Sequence, residues 1–266
     1  IDLFADRRRG LAVSDPDDRQ LTISCGAALA FLSLAMRRFG RVPIIHTFPH
    51  LSNPDHLATI LWGGIHEPVP ATLRDFEAMN HRNLQVSALS AKAPSNILME
   101  DVLDDLDRPG IRLERVSDIQ ERGTLAELIL EANRTQEADS SFRRERENWS
   151  HPDRRHSRDG WPEMSPQNGR SQAGERGTRG PRMTGYSQSL AAGGPELFIL
   201  SSRGDSRASW LEAGRLMAHL MLRGAANGLS TQLANGPMEI PAYREKVDRA
   251  QEGGWRSQSI LRMGYA

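Results

Sequence analysis

Leu21-Thr22-Ile23-Ser24-Cys25-Gly26-Ala27-Ala28-Leu29 begins the most apolar stretch of the chain, and the architecture follows from it. Leu21, Ala28, Leu32, Ala35 and Phe39 recur at helical spacing, Arg37 and Arg38 suit the negative end of a helix dipole, and Gly40 supplies the stop. The uncharged run Leu21 to Met36 is shorter than the roughly 20 residues of a membrane span and contains Thr22, Ser24 and Ser33. It reads as a buried helix of a soluble core. A related pattern returns near the other end. Gly26 precedes Gly40 by 14 positions and Gly214 precedes Gly228 by 14, which aligns Ala30, Leu32 and Leu34 with Ala218, Leu220 and Leu222. Each helix follows a strand that begins near a Leu-Phe pair (Leu3-Phe4, Leu197-Phe198). Each is followed by an extended piece and an Asn/Pro turn (Asn53-Pro54, Asn235-Gly236-Pro237). The spacing predicts a diverged duplication of one strand-helix-strand unit, with coincidence between two Leu/Ala-rich helices as the alternative. A duplication would pack two similar halves about a pseudo-two-fold axis, like a symmetric dimer fused into one chain.

Outward from these helices, Ile1–Asp6 alternates as a short strand, and Val42–Phe48 is a β-branched strand interrupted early by Pro43. A weaker strand around Leu57–Trp62 is expected to break at Gly63-Gly64. Pro70–Met79 reads as a helix with Pro in its first turn, and Ile97–Leu106 as another that ends by Pro109-Gly110. Ile111–Val116 alternates as a strand, and Leu125, Leu128, Ile129 and Ala132 mark a further helix. The chain continues with a strand at Pro195–Ser201, a helix at Ala208–Asn227, an extended piece at Leu229–Leu233, a helix at Pro241–Arg249 and a strand at Ser259–Tyr265. The expected class is α+β, a single domain over 1–266, with 1–66 as the first half and 67–266 as the second. Residues 150–194, rich in Gly, Ser, Pro and Arg, read as an irregular lid or disordered insertion.

Composition removes several functions. With 34 Lys+Arg against 34 Asp+Glu the chain lacks the basic excess of a nucleic-acid or membrane-surface binder. Its cations are arginines apart from Lys92 and Lys246, a pattern that phosphate recognition or a GC-rich coding bias would produce. The segment Arg143–Arg182 holds ten arginines and six acids, and Trp149 and Trp161 are its aromatics. It reads as a solvated lid rather than an RNA-binding arm. Cys25 is the single cysteine, so no internal disulfide and no cysteine-based zinc site can form, and it reads as a small buried helix residue rather than a nucleophile. No signal-peptide pattern opens the chain, and the expected location is cytoplasmic.

No Walker loop, G-x-G-x-x-G or G-x-S-x-G motif is present. His46, His50 and His56 form a local group without convergent metal-ligand spacing, so no metal is expected. His81-Arg82-Asn83 directly follows a predicted helix, and a guanidinium fork there matches phosphate oxygens.

Ile23-Ser24-Cys25-Gly26-Ala27-Ala28-Leu29 resembles the I-S-C-G-A-A-L helix start of the Acg family, an actinobacterial branch of the flavin-dependent nitroreductases. Leu3-Phe4-Ala5-Asp6 and Asn53-Pro54-Asp55-His56-Leu57-Ala58 agree with its flanks. Arg207 to Gly214, Ala226-Asn227-Gly228-Leu229-Ser230, Pro237 to Pro241 and Leu261 to Tyr265 are similar to later motifs of that family in the same order. The resemblance implies a nitroreductase-like α+β fold of two similar halves, a monomeric pseudo-dimer with FMN between them. It implies hydride transfer from NAD(P)H to FMN and on to a small-molecule quinone- or nitro-like acceptor, with neither nucleic acid nor membrane as partner. Because the isoalloxazine ring carries such chemistry, no catalytic side chain is implied. The alternative is a non-catalytic flavin-binding or flavin-sequestering stress protein. The family clamp R-R-[ST]-x-R-x-x-F falls on His81, Arg82, Asn83, Leu84 and Gln85, where Arg82 alone of its three arginines is kept. The implied cofactor-binding residues are His81, Arg82, Asn83 and Gln85 together with Gly228, Leu229 and Ser230. The resemblance also implies a chain that starts after the family's first helix and its P-S-x-x-N-x-Q-P-W loop, and stops before its terminal arginine-containing segment.

Overall fold

The computed structural model describes residues 1–50, 52–81, 89–150 and 194–266. Nearly all of the predicted 150–194 insertion therefore lies outside the described residues. The remainder is α+β. A three-stranded antiparallel sheet is built from β1 (Asp2–Phe4), β2 (Arg41–Thr47) and β3 (His56–Ile65) in the order β1-β3-β2. A four-stranded antiparallel sheet takes β4 (Ile111–Arg115), β5 (Glu196–Ser202), β6 (Ser230–Leu233) and β7 (Arg256–Gly264) in the order β4-β5-β7-β6. The helices are α1 (Arg19–Arg38), α2 (Pro70–Ala78), α3 (Asn96–Leu103), α4 (Ile119–Ala138), α5 (Ser140–Ser150), α6 (Arg207–Ala226) and α7 (Pro241–Ala250).

The larger sheet is covered on both faces, which explains why Leu197-Phe198-Ile199-Leu200 is a continuous apolar run rather than an alternating one. Phe198, Leu200, Leu261 and Met263 pack on one side with α3 and α6. Leu197, Ile199 and Ile260 pack on the other with α4 and α7. The small sheet buries Ala58 and Ile60 against α1, whereas the cross-strand pair Ile44 and Leu61 on its outer face stays exposed. Pro43 is tolerated because β2 is an edge strand whose register shifts between Arg41 and Pro43. The expected break at Gly63-Gly64 does not occur, and β3 runs through to Ile65. A Cβ on Gly63 would stand 2.6 Å from the Val42 carbonyl oxygen, so glycine here lets the strand pass that irregular edge rather than ending it.

Helices α1 and α6 meet backbone to backbone. A Cβ placed on Gly26 would lie 3.1 Å from the Gly214 Cα and collide with the carbonyl oxygen of Leu211, and a Cβ on Gly214 would collide with that of Ile23. Each glycine faces the carbonyl three residues before the other. This close approach also sets which face of α1 is buried. Ile23, Gly26, Ala30, Ser33 and Leu34 turn inward, while Ala28 is exposed and Phe39 is 71% exposed, so the stripe expected from Leu21, Ala28, Leu32, Ala35 and Phe39 is not the interior one. By length and hydropathy α1 would span a bilayer, but half of that apolar window is buried inside the protein.

Capping fixes the helix ends. Both Asp15 carboxylate oxygens accept from the start of α1, from the amides of Gln20 and Leu21 at 2.9 Å. Ser95, Asp118 and Ser206 cap α3, α4 and α6. At the far end of α6, Gly228 takes φ +73°, its amide donates to Ala225 and the Leu229 amide donates to Gly224, a Schellman stop.

Candidate functional site

The structure brings part of the implied cofactor set to one end of the molecule. Ala78 and Met79, just before His81, pack with Leu222, Ala225 and Ala226, just before Gly228. Arg223 on α6 reinforces the joint by donating to Asp75 on α2 at 3.1 Å. His81 is exposed, and Arg82, Asn83 and Gln85 lie outside the described residues. The amides of Gly228 and Leu229 are spent on the helix stop, the Leu229 side chain belongs to the main core, and Ser230 pairs with Gly264 as the first residue of β6. Gly228 has open space around the position of a Cβ.

Two clefts lie between residues 1–66 and the rest of the chain. The larger, 610 Å³, is lined from the first part by Ser33, Arg37, Pro43, Ile45 and Thr47 on α1 and β2. Asp105 and Arg108 before β4, and Glu212, Arg215 and His219 on α6, line it from the second. Positions 212, 215 and 219 share one helix face, and this stripe turns toward the cleft. Glu212 accepts from Arg215 at 2.7 Å, but the Arg215 Nε is buried without a hydrogen-bond partner among the described residues, a deficit that costs about 1–3 kcal/mol. Burial pushes the His219 imidazole down to about 4, reinforced by the charges of Arg108, Arg215, Arg223 and Arg37. His219 is therefore neutral at pH 7 in a positive field.

The smaller cleft, 270 Å³, includes Asp15, Arg19, Asp205, Glu239 and Arg244. Arg19, 5% exposed, donates to the carbonyls of Gln258 at 2.7 Å and Met238 at 2.8 Å, tying the start of α1 to β7 and to the 3-10 turn Gly236–Glu239. Burial lowers its guanidinium to about 10. Burial also pushes the Glu239 carboxyl up to about 7, against hydrogen bonds from Gln20 and Gln136 and the charge of Arg19. Asp205 behaves oppositely. Burial would raise it, but donors on Arg244, Trp210 and Gln258 outweigh burial and hold it well below the usual carboxylate range.

Glu239 gives a signed prediction. Its folded value near 7 exceeds the ordinary 4.5, so its contribution to stability is complete below about pH 4.5 and is lost as pH rises to about 7. Urea unfolding at successive pH values should show this decline, and Glu239→Gln should flatten it. An undiminished slope in the variant would refute the assignment.

Cys25 is half-buried, and burial raises its thiol, as expected for an inert packing cysteine. His50 and His56 approach to 5.3 Å between ring centroids, and His56 Nε2 lies 3.1 Å from Asp2 Oδ1. Among the described residues no group of three potential ligands is assembled for a metal. Sequence reasoning passed over Arg215 and His219, whose usable signal was a polar stripe, Glu212, Arg215 and His219, on a helix that otherwise supplies much of the core.

No family model matches the chain. It is 28% identical over 273 residues, covering 100% of this chain and 77% of the relative, to a Mycobacterium tuberculosis protein named "Putative NAD(P)H nitroreductase". A second M. tuberculosis protein, named as uncharacterized, is 24% identical over 285 residues with the same coverage. Among solved structures, a nitroreductase with bound FMN from Desulfitobacterium hafniense aligns at TM-score 0.47 and 12% identity over 73% of this chain and 89% of that one. The FMN-dependent nitroreductase NfnB of Mycobacterium smegmatis in complex with NADPH aligns at 0.44 and 16% over 74% and 89%. The chain is thus an α+β protein with nitroreductases among its structural neighbours, similar along its whole length to a relative named for NAD(P)H nitroreductase activity.

Proposed function

We propose that the chain is a nitroreductase-type flavin oxidoreductase of Acg type, which takes hydride from NAD(P)H onto FMN and passes the electrons to a quinone- or nitro-like acceptor. The observation that carries this is the similarity to the M. tuberculosis relative across all of the chain rather than one motif. The reciprocal contact of Gly26 and Gly214 supports two related halves in one chain; the proposal takes that chain as monomeric and cytoplasmic, with the cofactor between the halves. FMN, when bound, would supply the ring that accepts and returns hydride.

At the positions implied for FMN, the described residues do not fit its phosphate. Gly228 and Leu229 have no amide to spare, they stand at the negative end of α6, and His81 is a single exposed imidazole. No step is routed through those positions. The second reading is a flavin-sequestering protein without turnover, which would hold the flavin through residues other than these.

Titration with FMN separates the readings. The oxidoreductase should perturb the flavin spectrum and oxidise NAD(P)H with a quinone or nitroaromatic acceptor. Tight flavin binding without NAD(P)H oxidation selects sequestration, and an unperturbed flavin spectrum rejects both.

A further inference from the structure

The larger cleft has a chemistry of its own. Arg37 has no hydrogen-bond or ion partner among the described residues, Arg108 donates to the adjacent carbonyl of Asp107, and Arg215 keeps a buried Nε unpartnered. Three arginines thus line one cavity, with Glu212 paired to one of them and Asp105, also in the lining, exposed. Thr47 adds a hydroxyl, while Leu34, Pro43 and Ile45 give the same cavity an apolar wall. At 610 Å³ the space exceeds what a bare ion needs. A lining that combines arginines with apolar side chains is the arrangement that takes a charged oxyanion joined to an organic body.

We propose that this cleft binds the phosphoryl group of a phosphorylated organic ligand, held by Arg37, Arg108 and Arg215 across the two halves of the chain. Arginine suits the role because its planar fork can meet two phosphate oxygens at once. Groups facing His219 come from every element around the cleft: Arg37 on α1, Asp105 and Arg108 before β4, and Glu212, Arg215 and Arg223 on α6. A bound dianion would offset the arginines' field and favour the imidazolium, so phosphate binding and proton uptake at His219 should be coupled. The site rests on the cleft alone and stands whether or not the protein binds flavin.

The test uses the whole chain, with inorganic phosphate and pyrophosphate as calorimetric probes. Both should bind to the wild type, and Arg37→Gln and Arg215→Met should each weaken binding about tenfold or more. Arg37 is exposed and has no partner among the described residues, so its variant keeps the question answerable if Arg215→Met fails to fold. The NMR titration midpoint of the His219 ring should move upward in saturating phosphate. Absence of phosphate binding, binding unchanged in Arg37→Gln, or an unmoved His219 midpoint would each overturn the proposal. Further arms locate the source of the phosphate. A preference for FMN over riboflavin that disappears in Arg37→Gln assigns it to the flavin, and a similar loss of preference for NADPH over NADH assigns it to the dinucleotide. Phosphate binding that survives beside an unperturbed flavin spectrum would reject the oxidoreductase reading while retaining the site.

Discussion

Gly214→Ala should lower the unfolding free energy by about 2 kcal/mol or more, although alanine ordinarily gains up to about 1 kcal/mol over glycine inside a helix. The new methyl would meet the Ile23 carbonyl oxygen, which is backbone and cannot rotate away as a flexible side chain could. α1 and α6 would have to separate, and overpacking of this kind costs about 3 kcal/mol at the upper end of its usual range. Gly26→Ala should behave alike through the Leu211 carbonyl. Gly123, within α4, supplies the contrast, because nothing lies within 4 Å of its Cβ position. Gly123→Ala should stabilise by about 0.5–1 kcal/mol. Urea denaturation of the three variants measures all of this, and a neutral Gly214→Ala would mean that the helices do not meet backbone to backbone.

Arg19→Met should cost about 3 kcal/mol. The side chain has nearly the same reach but no donors, and the buried Gln258 and Met238 carbonyls would each lose a charge-assisted bond. Asp15 would also lose the nearby positive charge, leaving a buried acidic group without it. Arg19→Lys should recover only part of the loss, since one ammonium cannot reproduce a fork that serves Met238 through one terminal nitrogen and Gln258 through the other. Chemical denaturation at pH 6 decides the matter. A loss below about 0.5 kcal/mol in Arg19→Met would show that the network adds little.

The elements that sequence patterning located well are those whose packing is carried by their own apolar periodicity. α1, α2 and α6 lie within two residues of their expected bounds, and the Gly26/Gly214 alignment marked the two positions where the helices touch. The interior face of α1 was not legible, because a backbone-close crossing rewards Gly26, Ala30 and Ser33 over the larger Leu32 and Phe39 that hydrophobicity picks out. α5 had no apolar stripe to announce it. Glu145 fastens it instead, accepting from the amides of Val13 and Ser14 at 2.8 and 2.9 Å across more than a hundred residues. Gly228, directly after the helix expected at Ala208–Asn227, takes the positive φ that a glycine stop requires. The cleft stayed hidden for a related reason. Arg37 at a helix end and Arg215 within a polar stripe each have an ordinary solvated explanation, and only tertiary folding sets them around one cavity.

The backbone crossing at Gly26 and Gly214 has a mechanical consequence. A joint cushioned by long side chains can slide, because rotamers absorb the displacement, but two main chains in contact have no such compliance. Here translation along either helix would drive a carbonyl into the opposite chain. Swivelling about the point of contact is the softer motion, and it would change the width of the flanking clefts while leaving the glycines in place. The pair serves as a pivot.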